Sequence, residues 1–174
     1  MSVTLIFGGA RSGKSLRAEA VAEGSGLPVI YIATAPQIEG DAEWQARIEQ
    51  HRSRRSSGWK TVEEEIELST VINAEVDEGR LVFVDCLTLW LSNLLYAERD
   101  VEQEIELLCE SLSSCSGEII LVSNEVGMGL VPENEMGREF RDAQGRMNQR
   151  VAAVADRVEF VAAGLPLCLK GESK

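Results

Sequence analysis

Residues 8–15 of the chain read Gly-Gly-Ala-Arg-Ser-Gly-Lys-Ser, a full match to the pattern G-x-x-x-x-G-K-[ST]. The chemistry open to such a segment is phosphate binding. Gly8, Gly9 and Gly13 let the backbone turn tightly, and Ala10, Arg11 and Ser12 add inward-aimed amides to the same cradle. Lys14 suits the β- and γ-phosphates of a nucleoside triphosphate, where it would act in catalysis, and the Ser15 hydroxyl suits Mg²⁺. An apolar run, Val3–Phe7, precedes the segment, and a helix-like stretch, Leu16–Glu23, follows it. That strand–loop–helix setting brings the positive end of a helix up to the phosphates. The competing reading, an ordinary glycine-rich turn, does not ask for all eight positions.

Two further groups could join this chemistry. Leu81-Val82-Phe83-Val84-Asp85 is an apolar strand ending in an aspartate. Beside a phosphate loop such a carboxylate holds Mg²⁺; alone it is indistinguishable from a helix cap. His51 is the sole histidine, and it stands among Arg47, Arg52, Arg54, Arg55 and Lys60. Arginines match phosphate geometry, and a neutral imidazole can attack phosphorus covalently. Attack at an α-phosphate would expel pyrophosphate and leave a nucleotidyl-histidine. The plainer reading, a structural histidine on a helix face with Trp44, Arg47, Ile48 and Arg55, stays open on the residues alone.

The elements that position these groups alternate. Val3–Phe7, Val29–Thr34, Leu81–Asp85, Ile119–Ser123, Val158–Ala162 and a short Leu167–Lys170 read as strands. Between them, Lys14–Glu23, Ala42–Ser56, Leu87–Ala97, Val101–Ser113 and Gly137–Ala155 read as helices. Near-continuous apolar strands alternating with helices predict an α/β fold: a three-layer sandwich of the P-loop NTPase type around a mostly parallel sheet. At 174 residues, the span 1–174 is expected to form one domain. The acidic run from Glu63 to Glu78 reads as a solvated helix face. Asn124-Glu125, after the strand Ile119–Ser123, reads equally as part of a ligand crevice or as a turn cap. The glycine-rich stretch from there to Pro132 is long enough to cover a large ligand. Trp44, Trp59 and Trp90 are expected to pack against core or helices.

Composition narrows the partners. A formal net charge of −12 argues against nucleic acid and against anionic membrane surfaces. No apolar run has the length of a membrane span, and no signal-peptide pattern opens the chain. The four cysteines lack metal-site spacing, which predicts reduced thiols in a cytoplasmic protein.

Read together, these segments resemble the bifunctional adenosylcobinamide kinase/adenosylcobinamide-phosphate guanylyltransferases of cobalamin synthesis. The likeness is carried by Gly8–Ser15, Tyr31–Ala35, Arg47-Ile48, His51–Arg55, Trp59, Thr61, Glu63, Asp85–Leu91, Asn93–Leu95 and Ser123–Asn134. It continues through Arg138, Phe140–Asp142, Gly145, Asn148-Gln149 and Asp156, so that it runs from Leu5 to Lys170. Ser56 stands where the family often has proline. The resemblance implies phosphorylation of adenosylcobinamide by ATP or GTP, then transfer of GMP from GTP through a guanylyl-histidine to adenosylcobinamide phosphate. It places the guanylylated histidine on His51. Nucleotide contacts fall on the P-loop, Thr34, Ala35, Pro36, Arg52, Ser53, Arg54, Arg55, Glu63 and Asp85. Mg²⁺ on Ser15 and Asp85 and a homo-oligomer, a trimer in the family, complete what it implies.

Overall fold

The computed structural model describes residues 2–36, 38, 40–54 and 58–171, without the side chains of Arg47, Gln50, His51 and Arg54. In chain order the elements are β1 (Ser2–Gly8), α1 (Lys14–Gly24), β2 (Val29–Ala33), α2 (Ala42–Arg54), β3 (Lys60–Glu63), α3 (Leu68–Glu75) and β4 (Leu81–Asp85). There follow α4 (Leu87–Tyr96), α5 (Val101–Ser114), β5 (Glu118–Asn124), α6 (Glu135–Val154), β6 (Arg157–Ala162) and β7 (Leu165–Lys170). One seven-stranded sheet runs in the order β3-β2-β4-β5-β1-β6-β7. Every pairing is parallel except that of β6 with β7, a hairpin.

The alternation of side chains along each strand builds two cores, one on each face. Val3 and Leu5 of β1 join Ile32, Val84, Leu121 and the apolar faces of α3, α4, α5 and α6. Ile6 faces the other way, with Tyr31, Phe83, Val122 and Ala18 and Ala22 of α1. Alanines four residues apart let α1 lie close against the sheet. These are the three layers the sequence predicts, with the buried parallel strands as expected.

Two elements differ from the sequence reading. The run from Glu63 onward is not one helix face: Lys60–Glu63 forms the edge strand β3, and Leu68–Glu75 forms the short helix α3. Of β3 only Val62 is even half-buried, so the strand has no apolar alternation to advertise it. In α3, Leu68 and Ile72 are fully buried at i and i+4 spacing, a single pair within a strongly acidic stretch. Helix α2 is described to Arg54; Arg55 and Ser56 lie outside the described residues.

The tryptophans pack as anticipated. Trp90 is fully buried and donates its indole N–H to the Ile66 carbonyl at 2.8 Å. Trp59 stacks near Tyr31 and meets Phe83 edge-on. Trp44 donates to the Pro36 carbonyl at 2.7 Å, tying α2 back to the loop after β2.

Candidate functional site

The carboxyl ends of five strands line up in register. Glu63 of β3 pairs with Ala33 of β2, and Ala33 with Asp85 of β4. Asp85 pairs with Val122 of β5, and two residues on, Asn124 pairs with Gly8 of β1. In a parallel α/β sheet this edge is where ligands bind.

The loop Gly8–Ser15 leaves β1 at that edge and enters α1. Gly13 has φ +97°, and the α1 ladder begins with Arg17 N–H donating to the Gly13 carbonyl at 2.9 Å. Gly8 has no room for a side chain: a Cβ there would lie 2.3 Å from the Val161 carbonyl oxygen and 2.8 Å from Ser12 Oγ. Ser12 Oγ is buried and has no hydrogen-bond partner among the described residues. The loop is braced from outside by the β6–β7 turn, where Gly164 N–H donates to the Ser12 carbonyl at 2.7 Å.

Lys14 lies half-buried with its ammonium 3.2 Å from the Gly9 carbonyl oxygen. Burial lowers its pKa from the ordinary lysine value, opposed by the charges of Cys86 and Asp85. Burial pushes the Cys86 thiol up to about 11, so around neutral pH it is uncharged and Asp85 is the working counter-charge. The Asp85 carboxylate accepts a hydrogen bond from the Tyr31 hydroxyl at 2.8 Å. Tyr31 is itself buried between Trp59 and Phe83.

Thr34 is fully buried and clasps the ends of β2 and β4. Its hydroxyl donates to the Cys86 carbonyl at 2.8 Å and accepts from Cys86 N–H at 2.9 Å. Asn93 of α4 donates to the Thr34 carbonyl and to the Glu65 carbonyl, at 2.8 and 3.1 Å. Ala35 and Pro36 follow, half-buried, at the same edge. Arg52 of α2 forms an ion pair with Glu63, both side chains being substantially exposed, and Ser53 is exposed beside it. This pair ties the helix that carries His51 to the end of β3. The His51 and Arg54 side chains and all of Arg55 lie outside the described residues. Among the described residues no group of three or more histidine, cysteine, aspartate or glutamate side chains could hold a metal ion.

Asn124 and Glu125 lie at the carboxyl end of β5, where the Glu125 carboxylate caps the turn by accepting from Gly127 N–H and Met128 N–H. Glu125 N–H donates to the Gly8 carbonyl at 2.9 Å, and Asn124 N–H donates to Thr88 Oγ1 at 2.8 Å. Behind them Ser123, Gln144 and Asn148 form a buried polar cluster, in which Ser123 donates to Asn148 Oδ1 at 2.7 Å and Asn148 donates to the Asn124 carbonyl at 3.0 Å. Sequence reasoning singled out neither the Tyr31–Asp85 bond nor the Gly164 brace. Both depend on pairings between segments distant in the chain.

Residues 4–169 match the sequence pattern of the family described as cobinamide kinase / cobinamide phosphate guanyltransferase. The chain belongs to this family. Among its relatives is the bifunctional adenosylcobalamin biosynthesis protein CobP of Pseudomonas aeruginosa, 49% identical over 97% of both chains. Another is the bifunctional protein CobU of Salmonella typhimurium, 40% identical over 95% of this chain and 98% of the relative. As a member of this family the chain is an enzyme of cobalamin biosynthesis.

Solved structures share the fold. A protein of Pyrococcus horikoshii OT3 superposes with a TM-score of 0.57 at 8% identity, over 99% of this chain and 88% of that one. A prototypical ATPase from the type III secretion system of pathogenic bacteria does so with a TM-score of 0.57 at 11% identity, over 96% of this chain and 56% of that one. Such identities speak for the P-loop type of architecture alone. Among the described residues no helix is long and apolar enough to cross a membrane.

Proposed function

We propose that the enzyme carries out both family reactions at the carboxyl edge of its sheet. In the first, the aminopropanol hydroxyl of adenosylcobinamide attacks the γ-phosphorus of ATP or GTP. A new P–O bond forms, the γ–β bridge breaks, and the hydroxyl proton is released. In the second, an imidazole nitrogen of His51 attacks the α-phosphorus of GTP. A P–N bond forms and pyrophosphate leaves. A phosphate oxygen of adenosylcobinamide phosphate then attacks the same phosphorus, restoring His51 and giving adenosylcobinamide-GDP.

The observation that carries this reading is the Arg52–Glu63 pair. It supports the reading by joining α2, the helix in whose sequence His51 lies, to the end of β3. Lys14 and the loop amides would bind the triphosphate and offset charge on the transferring group. Arg52, Ser53, Arg54, Arg55, Thr34, Ala35, Pro36 and Glu63 are assigned to the guanine nucleotide. Mg²⁺ fits the residues present in their donor chemistry: a hydroxyl and a carboxylate are the hard oxygen donors it takes beside phosphates. Ser15 and Asp85 would hold the ion, which supplies neutralisation of phosphate charge.

The test uses GTP labelled at the α-phosphate. After denaturation the protein is expected to carry an acid-labile, alkali-stable label that disappears in His51→Asn. A label that persists without His51 would remove it from the mechanism.

A further inference from the structure

The loop between β5 and α6 displays large apolar side chains that the core does not use. Met128 is 78% exposed, Leu130 96%, Val131 63% and Met136, in the first turn of α6, 64%. Exposed apolar side chains grouped on one segment mark a binding surface more often than accident. The segment is also tied down. The Glu125 carboxylate accepts hydrogen bonds from Gly127 N–H and Met128 N–H. At the other end, Arg138 donates to the carbonyls of Pro132 and Glu133, at 3.1 and 2.6 Å. Asn134 caps α6 by accepting from Gly137 N–H at 2.6 Å. Leu130 and Val131 are therefore held outward between two anchored ends.

Its place is set by the strand order. β5 lies between β4 and β1, so the loop emerges between Asp85 and the P-loop. Its first residue is bonded to the Gly8 carbonyl. An acceptor that takes a γ-phosphate has to approach the far end of the triphosphate, which the proposed function sets beside Lys14.

We infer that this loop, with the first turn of α6, docks the corrin ring of the acceptor. The inference rests on the proposed function and names the subsite that function requires. A corrin presents a methyl-studded apolar face, which unbranched methionines and the two aliphatic side chains can cover. Adenosylcobinamide is a cation, because one charge of cobalt(III) stays unbalanced by the corrin and alkyl ligands. Glu133, Glu135 and Glu139, all exposed, follow Leu130 and Val131 in sequence, and Arg138 is turned onto backbone carbonyls. The sign of the surroundings therefore suits that charge.

The experiment is ultrafiltration of adenosylcobinamide with the full chain, read by the visible absorbance of the corrin. Leu130→Ser/Val131→Ser is expected to weaken retention by about tenfold or more, since two apolar side chains lose their burial on binding. Labelling of the same variant by α-labelled GTP, which needs no corrinoid, should keep its rate and so report an intact fold. Leu130→Met/Val131→Ile should hold the affinity. Equal retention by wild type and serine variant would overturn the loop's role and leave the proposed function standing. A serine variant that sediments as a smaller species while binding corrinoid normally would make the patch a contact between copies, again overturning it. Failure of the wild type to retain the corrinoid would bring down the proposed function and this inference with it.

Discussion

The Asp85 carboxylate accepts a hydrogen bond from the Tyr31 hydroxyl, 2.8 Å away. The tyrosine ring is packed independently of that bond, with its centroid 5.1 Å from Phe83 and 6.1 Å from Trp59. Tyr31→Phe should therefore keep the packing and remove that bond. A hydrogen bond to a charged acceptor contributes about 1.5–3 kcal/mol. If much of that serves to aim Asp85 at Mg²⁺, calorimetric titration of Mg²⁺ into the protein–GTP complex should show severalfold weaker binding, with GTP binding in the absence of Mg²⁺ little changed. Unaltered Mg²⁺ affinity would make the bond purely structural. At this scale the sequence was informative where chemistry is local. Lys14 and Ser15 follow from their own loop, and Asp85 from its strand. The Tyr31 partner and the Thr34–Cys86 clasp follow only from the β2–β4 register, which no local pattern encodes.

Among elements, the β6–β7 hairpin has a role that its apolar sequence conceals. Ala163 and Gly164 have φ of +51° and +79°, as a two-residue hairpin turn requires. Gly164 reaches the P-loop through its N–H to the Ser12 carbonyl and through close approach, since a Cβ on Gly13 would lie 3.0 Å from Gly164 Cα. A non-glycine residue in the left-handed region costs about 1–2 kcal/mol, and more when β-branched. Gly164→Val is thus expected to shift the turn and loosen the loop it braces. Its GTP dissociation constant, measured by equilibrium dialysis, should rise about tenfold. A variant that loses thermal stability yet binds GTP as the wild type does would show that the turn supports the sheet and not the loop. The hairpin was only partly legible, as a short strand at Leu167–Lys170, because Ala-Gly is not a strong turn signal. Strand β3 and helix α3 were illegible for a different reason. β3 exposes three of its four residues and α3 fully buries only Leu68 and Ile72, so composition spoke louder than the few buried positions.

At the scale of the whole molecule, the two helical layers must stay registered on the sheet while the chain carries a formal charge of −12. One ion cluster links α1, the P-loop helix, to β6. Glu159 is 1% exposed and accepts from Arg17 Nε at 2.8 Å and Arg17 Nη2 at 2.9 Å, and Arg157 Nε reaches it at 2.9 Å. The Arg17 hydrogen bonds, aided by Arg157, hold its carboxyl below the usual glutamate pKa despite burial. A folded-state pKa below the unfolded one means stability that is fully present above the unfolded value of about 4.3 and is lost as pH falls through the folded value. Acid therefore acts in two opposed ways. Approaching the isoelectric point of 4.6 relieves self-repulsion, whereas going lower dissolves this cluster. Glu159→Gln should cost about 3 kcal/mol at pH 7, because it leaves two guanidinium groups facing a neutral partner. The gap to the wild type should narrow below about pH 4. Urea unfolding of both proteins at pH 7 and at pH 3.5 measures it. A gap that stays constant across that range would mean that Glu159 holds α1 by shape and hydrogen bonding alone, with its charge contributing nothing.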